Sequence, residues 1–138
     1  MKLTPFLMFQ HGHCAAATEL YLRVFDDATL DFQIMHPAPQ QNLVMRSQVS
    51  IHGQAIALND SPIEHAFDFT PSQSFFIDCD DASEVDRIAE ELGAGGATLM
   101  PADAYGFSER FAWVNDRYGV SWQLNYQGEV PVEPPATT

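Results

Sequence analysis

Four apolar residues at helical spacing, Ala17, Leu20, Tyr21 and Val24, recur about 68 positions later as Val85, Ile88, Ala89 and Leu92. The same offset lays Leu7 and Phe9 on Phe75 and Ile77, and a two-residue slip lays Ile56 and Leu58 on Trp122 and Leu124. A chain that carries one pattern twice folds each copy into a similar unit, so the repeat limits the architecture more than any other feature. Each copy reads strand, helix, strand, strand, strand. The predicted class is α+β, with duplicated βαβββ modules at about 4–60 and 73–126 inside one domain of residues 1–127. Each sheet packs one face on its helix, and the other faces must close over something.

The elements follow in order. Residues 6–10 suit a short buried strand, which Gly12 ends before a helix whose stripe runs from Ala17 to Phe25. Leu30, Phe32, Ile34 and His36 alternate with Asp31, Gln33 and Met35, predicting a strand over 29–36. Residues 43–51 and 55–58 flank a tight turn at His52-Gly53. Residues 59–72 hold two prolines and no period, and read as the crossover between modules. A strand over 74–79 puts Phe75, Ile77 and Cys79 on one face. Asp81-Ala82-Ser83-Glu84 then fits a capping box, and Gly93 supplies the helix stop. Residues 97–100 form a short strand before a loop through Tyr105-Gly106-Phe107, and residues 128–138 are expected to be a flexible Pro-rich tail.

The last hairpin is the clearest local signal. Asp116 can open a type I turn by accepting from its own backbone, and Gly119 can take the left-handed position that closes it. Phe111 and Trp113 share one face before the turn. After it, Trp122, Leu124 and Tyr126 alternate with Ser121, Gln123 and Asn125, so the hairpin offers a polar row opposite a buried one.

Charge removes several functions. The formal net charge is −13 with only six Lys and Arg, which disfavours phosphate backbones and anionic membranes. No apolar run nears the roughly 20 residues of a membrane span, and the start lacks a secretory pattern. Cys14 and Cys79 make neither a disulfide framework nor a zinc spacing. A reduced, cytoplasmic protein is expected, with no nucleic-acid or membrane partner.

The two βαβββ modules, with Pro5-Phe6-Leu7-Met8-Phe9 followed by Ala17 and Tyr21, resemble the vicinal oxygen chelate superfamily, which includes glyoxalase I, bleomycin-resistance proteins and extradiol dioxygenases. Residues 105–111 and 114–124 are similar to its PhnB-like branch, often labelled a demethylubiquinone methyltransferase-like domain. The resemblance runs from about residue 4 to residue 125. It implies a cupped eight-stranded mixed sheet around a cavity, and commonly a homodimer. It does not imply a reaction, because this fold hosts lyases, oxygenases, isomerases and simple binders. The chain also lacks the Gly-rich strand-to-helix turn that holds S-adenosylmethionine in the usual methyltransferases.

Metal-dependent members take ligands from the first and last strand of each module. Those places here are residues 4–6, Ala57, Ser74 and Gln123, of which only Gln123 offers a ligand atom of the family kind, and a weak one. No family-type metal and no cofactor are expected. Asp60 is the one carboxylate that could rescue such a site, against its reading as turn chemistry in Asn59-Asp60-Ser61-Pro62. Cys14 invites a low-pKa thiol at a helix start, with His11 and His13 beside it, against a small buried filler. Cys79 reads as core.

The expected ligand-binding set is Phe6, Met8, Phe76, Phe111, Trp113, Ser121 and Gln123, an apolar lining with a few polar fixers. The competing reading is that these aromatics only fill the interior. Arg46 and Arg110 are candidate contacts to an anion, against pairing with surface carboxylates. The leading expectation is a homodimeric binder of a small molecule. The alternatives are a metal-dependent lyase or dioxygenase using Gln123 with Asp60 or a histidine of a partner chain, and a structural or partner-binding module.

Overall fold

The computed structural model describes residues 1–133, so the end of the expected tail, residues 134–138, lies outside the described residues. The chain divides into two compact units, Met1–Asp68 and Phe69–Thr138. The first holds β1 (Phe6–Phe9), α1 (Cys14–Val24), β2 (Thr29–Met35), β3 (Val44–Ile51) and β4 (Gln54–Asp60). The second holds β5 (Phe75–Asp78), α2 (Ala82–Gly93), β6 (Ala97–Tyr105), β7 (Ser108–Asn115) and β8 (Ser121–Tyr126). Their four-stranded mixed sheets have matching orders, β1-β4-β3-β2 and β5-β8-β7-β6, each with one parallel pair. The repeat read from the sequence is thus a repeat of topology.

Helix α1 buries the stripe that its spacing predicts, and α2 buries all of its stripe but Ala89, which is partly exposed. In α1, Ala17, Leu20, Tyr21 and Val24 are buried, and the helix packs on β2, β3 and β4, where Val49, Ile56 and Leu58 are also buried. In α2, Val85, Ile88 and Leu92 are buried, and the helix packs chiefly on β7 and β8. The buried residues opposite include Ala112, Val114, Trp122 and Leu124. Burying one large apolar side chain contributes about 1.5–3 kcal/mol, so these stripes rather than helix propensity hold the layers together.

The capping box forms with a shift. Asp81 accepts from Glu84 N at 2.8 Å, while Glu84 reaches Asp80 N rather than the cap residue's own amide. The helix stop also moves: Gly93 is the last helical residue, and the left-handed backbone falls on Gly95.

Two edge strands depart from simple alternation. In β2, Leu30 pairs with Val49, while Phe32 and Ile34 pair with Gln48 and Arg46 after a register shift. The bulge moves Leu30 to the face opposite Phe32 and Ile34, because one inserted residue inverts alternation. The region after Met100, expected as a loop, continues as β6 to Tyr105. Pro101 is accommodated because β6 is an edge strand with a register shift between Met100 and Asp103, where a missing N–H breaks no ladder bond. The β3–β4 turn has positive φ at both His52 and Gly53, a pattern that supports a two-residue hairpin. His52 Nδ1 lies 2.8 Å from Asp27.

β4 extends to Asp60, so Asp60 belongs to a strand and not to turn chemistry. After β8 the chain is still tied down, because Gln127 Nε2 donates to the carbonyls of Phe107 and Val130.

Candidate functional site

In the second unit, register sorts the side chains into two faces. Phe75 pairs with Trp122 and Ala112 with Leu124, which puts these residues and Val114 on the face under α2. The opposite face is built of cross-strand rows. One row runs Phe76, Gln123, Trp113, Met100 from β5 through β8 and β7 to β6. The next runs Asp78, Asn125, Phe111, Asp103. A third brings together Asn115, Ser121 and, by a hydroxyl contact of 2.8 Å, Ser74. Five of the residues singled out in the sequence, Phe76, Phe111, Trp113, Ser121 and Gln123, therefore share this helix-free face.

The predicted polar row is mostly engaged within the sheet. Trp113 Nε1 donates to Ser121 Oγ at 2.7 Å. Asn125 is buried, accepts from Ser108 Oγ at 2.6 Å, and donates to Asp78 at 2.9 Å and to Gln127. These bonds fix the ring of Trp113 and the carboxylate of Asp78 in place. Asn115 Oδ1 is buried with no hydrogen-bond partner.

Sequence reading missed an aromatic group at one end of this face. Tyr105 and Phe107 stack at 5.6 Å between centroids, and both meet the edge of Phe111, at 6.0 and 5.0 Å. Phe76 lies 6.4 Å from Phe111 on its other side. Phe76 and Phe107 are more than half exposed while Phe111 is buried, so the cluster has a packed centre and open rims. The available signal was the aromatic-Gly-aromatic run Tyr105-Gly106-Phe107 between two strands. Pro101, a residue that breaks a strand pattern in sequence, separates this run from the strand that the structure continues to Tyr105.

In the first unit, Phe6, Met8 and Arg46 lie on the helix-free face of their own sheet. Phe6 pairs with Ala57, Met8 with Asn59 and Arg46 with Ile34. Arg46 stands over the Phe32 ring at 5.8 Å. Arg110 does not join the candidate face of the second sheet. It lies on the α2 side, where its Nε donates to Asp86 at 2.8 Å, and that contact raises its pKa.

Asp60 is 1% exposed and uses both carboxylate oxygens on backbone, accepting from Cys14 N and Val44 N at 2.9 Å each. It ties the start of α1 to the start of β3, and neither oxygen is offered to an ion. The family's other ligand places fit a metal no better: Phe6 and Ala57 are apolar, and the Ser74 hydroxyl is shared with Ser121. Among the described residues no group of three or more His, Cys, Asp or Glu is placed to hold a metal ion.

Cys14 is fully buried, and burial pushes its thiol up to about 11, so the expected lowering by the helix start is outweighed. Burial likewise raises Cys79 to about 12. His13 is the N-cap of α1 but its side chain makes no capping hydrogen bond, and the His11 and His13 rings lie 5.8 Å apart. Near them a cleft of about 220 Å³ is lined by Gln10, His11, Leu43, Ser61 and Glu64 among others. Ser61 Oγ sits 2.9 Å from His65 Nε2 but also donates to the Ile63 carbonyl, and Gln10 ties both edges of this segment by accepting from His65 N and donating to Phe67 O. That network braces the end of the first unit.

Comparison with known proteins agrees with this geometry. A profile of the family described as 3-demethylubiquinone-9 3-methyltransferase matches residues 1–125. The PhnB protein from Bacillus cereus is 35% identical, with a TM-score of 0.86 over 91% of this chain and 99% of that chain. Two more distant structures share the fold. The fosfomycin resistance protein FosX from Listeria monocytogenes is 14% identical, with a TM-score of 0.65 over 94% of each chain. A glyoxylase/bleomycin resistance protein/dioxygenase domain from Frankia sp. EAN1pec is 13% identical, with a TM-score of 0.65 over 94% of this chain and 93% of that chain. No curated protein matches the chain. With nearly all of its repeat inside the matched span, and with a fold shared with the glyoxylase/bleomycin resistance protein/dioxygenase domain, the chain belongs to the PhnB-like 3-demethylubiquinone-9 3-methyltransferase family.

Proposed function

We propose that the chain binds a small molecule on the helix-free face of its second sheet. The observation that carries this is the gathering of Phe76, Phe111, Trp113, Ser121 and Gln123 on one face, with open aromatic rims beside them. Exposed rings on a rigid sheet supply contact area, and Trp113, held by Ser121, supplies orientation with the Gln123 amide beside it. Phe6, Met8 and Arg46 are proposed as a separate contact surface on the helix-free face of the first unit's own sheet.

The family's description speaks of methyl transfer, yet neither strand-to-helix turn is Gly-rich. The β1–α1 turn has Gly12 alone and the β5–α2 turn has none. Binding without an assigned reaction is therefore the reading we favour over methyl transfer or a metal-dependent step. We also propose a homodimer. Its support is the edge strand β2, which leaves Leu30, Phe32, Ile34 and Met35 exposed on an unpaired edge of the kind proteins usually cover.

A thermal-shift screen with small aromatic compounds tests the proposal. A ligand selective for the folded state raises the melting temperature, by an amount that grows with its concentration. Phe76→Ala, at a half-exposed position, should remove the shift while leaving the unliganded transition nearly unmoved. A shift that survives both Phe76→Ala and Trp113→Phe would place the ligand elsewhere.

A further inference from the structure

The rows of the second sheet also carry a charge pattern. The row through Phe111 begins with Asp78 and ends with Asp103. Adjacent strands are about 4.8 Å apart, so each carboxylate stands roughly 5–10 Å from the central ring along the sheet. The Asp78 side chain is exposed and is aimed by the Asn125 amide at 2.9 Å. Asp103 is exposed too, accepting from Ala104 N at 2.7 Å.

None of the second unit's own cations offsets them on this face. The second unit has three cations. Arg87 is on α2 with Glu91, and Arg110 is on the α2 face with Asp86. Arg117 lies in the β7–β8 turn, packed beside Gly95. An anion would meet two carboxylates and none of this unit's own cations here. A cation would meet carboxylates and, beside them, the exposed rings of Phe76 and Phe107, both of which attract positive charge.

Resting on the binding site proposed above, we propose that its ligand is an aromatic cation, an aryl group bearing an ammonium centre. The aryl group packs against Phe76 and Phe107, and the ammonium centre sits over the Phe111 row toward Asp78.

Three probes of matched shape test this: benzyltrimethylammonium, its neutral carbon isostere neopentylbenzene, and phenylmethanesulfonate. Each is titrated against the full chain, reading the fluorescence of Trp113 with Trp113→Phe as the control for Trp122. The cation should bind about 10-fold tighter than the isostere, and the sulfonate weakest. Raising salt from low to physiological strength should narrow the preference. Asp78→Asn, which keeps an acceptor for Asn125, should erase most of the preference while the isostere's affinity stays unchanged. Equal or tighter binding of the isostere or the sulfonate overturns the cation proposal and leaves small-molecule binding standing. No binding of any probe by a folded chain, checked by circular dichroism, overturns both. An unchanged preference in both Asp78→Asn and Asp103→Asn overturns the assignment of the charge to this face.

Discussion

Asp60 and Asp116 perform the same task in different units: each buried carboxylate satisfies backbone amides that the fold would otherwise leave unpaired. Asp60 takes Cys14 N and Val44 N. Asp116 takes Tyr118 N and Val120 N on one oxygen and Trp122 Nε1 on the other. Removing such an acceptor strands buried donors, at about 1–3 kcal/mol for each. Asp60→Ala should therefore lower the unfolding free energy by on the order of 3 kcal/mol, and Asp60→Asn, which keeps one acceptor oxygen, by less, as measured by urea denaturation. Equal stability of wild type and Asp60→Ala would contradict the clamp.

The cysteines make a second residue-level prediction. Their folded pKa values, about 11 for Cys14 and about 12 for Cys79, lie above the value of 9.0 for a free thiol. The folded state therefore holds its thiol protons more tightly. The resulting stability is complete below about pH 9 and is lost as pH rises toward 11 and 12. The melting temperature should fall over that window, and a Cys14→Ala, Cys79→Ala double variant should flatten the fall. At neutral pH neither thiol should react with iodoacetamide until the chain is unfolded, a result that mass spectrometry reads directly.

Elements meet most tightly where β6 begins. A Cβ added at Gly96 would stand 2.0 Å from the Asn115 carbonyl oxygen and 2.7 Å from the Asp116 carbonyl carbon, both backbone atoms that cannot swing aside. Gly96→Ala must push the start of β6 away from the β7–β8 hairpin. It should cost about 1–3 kcal/mol or more, with early amide exchange confined to β6 and the hairpin end. Gly106→Ala meets nothing within 4 Å and serves as the control. The α2 face fails differently: Leu124→Ala, at a fully buried position, should cost about 2–5 kcal/mol through an unfilled cavity.

At the level of the molecule, the duplication supplies two sheets that each leave a helix-free face and an edge. If β2 edges pair between copies, sedimentation should give twice the 15.4 kDa chain mass. Ile34→Lys, an exposed edge substitution, should then shift the species to monomer without lowering the monomer's own helix signal. A monomer at all concentrations would end the dimer proposal.

Much of this was readable because it is local. Helical stripes, the Asp116 turn and the repeat depend on spacings of a few residues, and those spacings survive in any fold that buries the stripes. The placement of Phe76, Phe111, Trp113 and Gln123 on one side also follows from alternation, once β5, β7 and β8 are recognised. Other features depend on which strand lies beside which, and in what register. Asp60 reaches Cys14 across 46 positions, Arg110 reaches Asp86 across a helix, and bulges in β2 and β6 invert alternation. A one-residue slip changes every such partner while leaving composition and periodicity untouched, so only the folded chain could decide that one face of the second sheet carries aromatic rings and carboxylates with no cation among them.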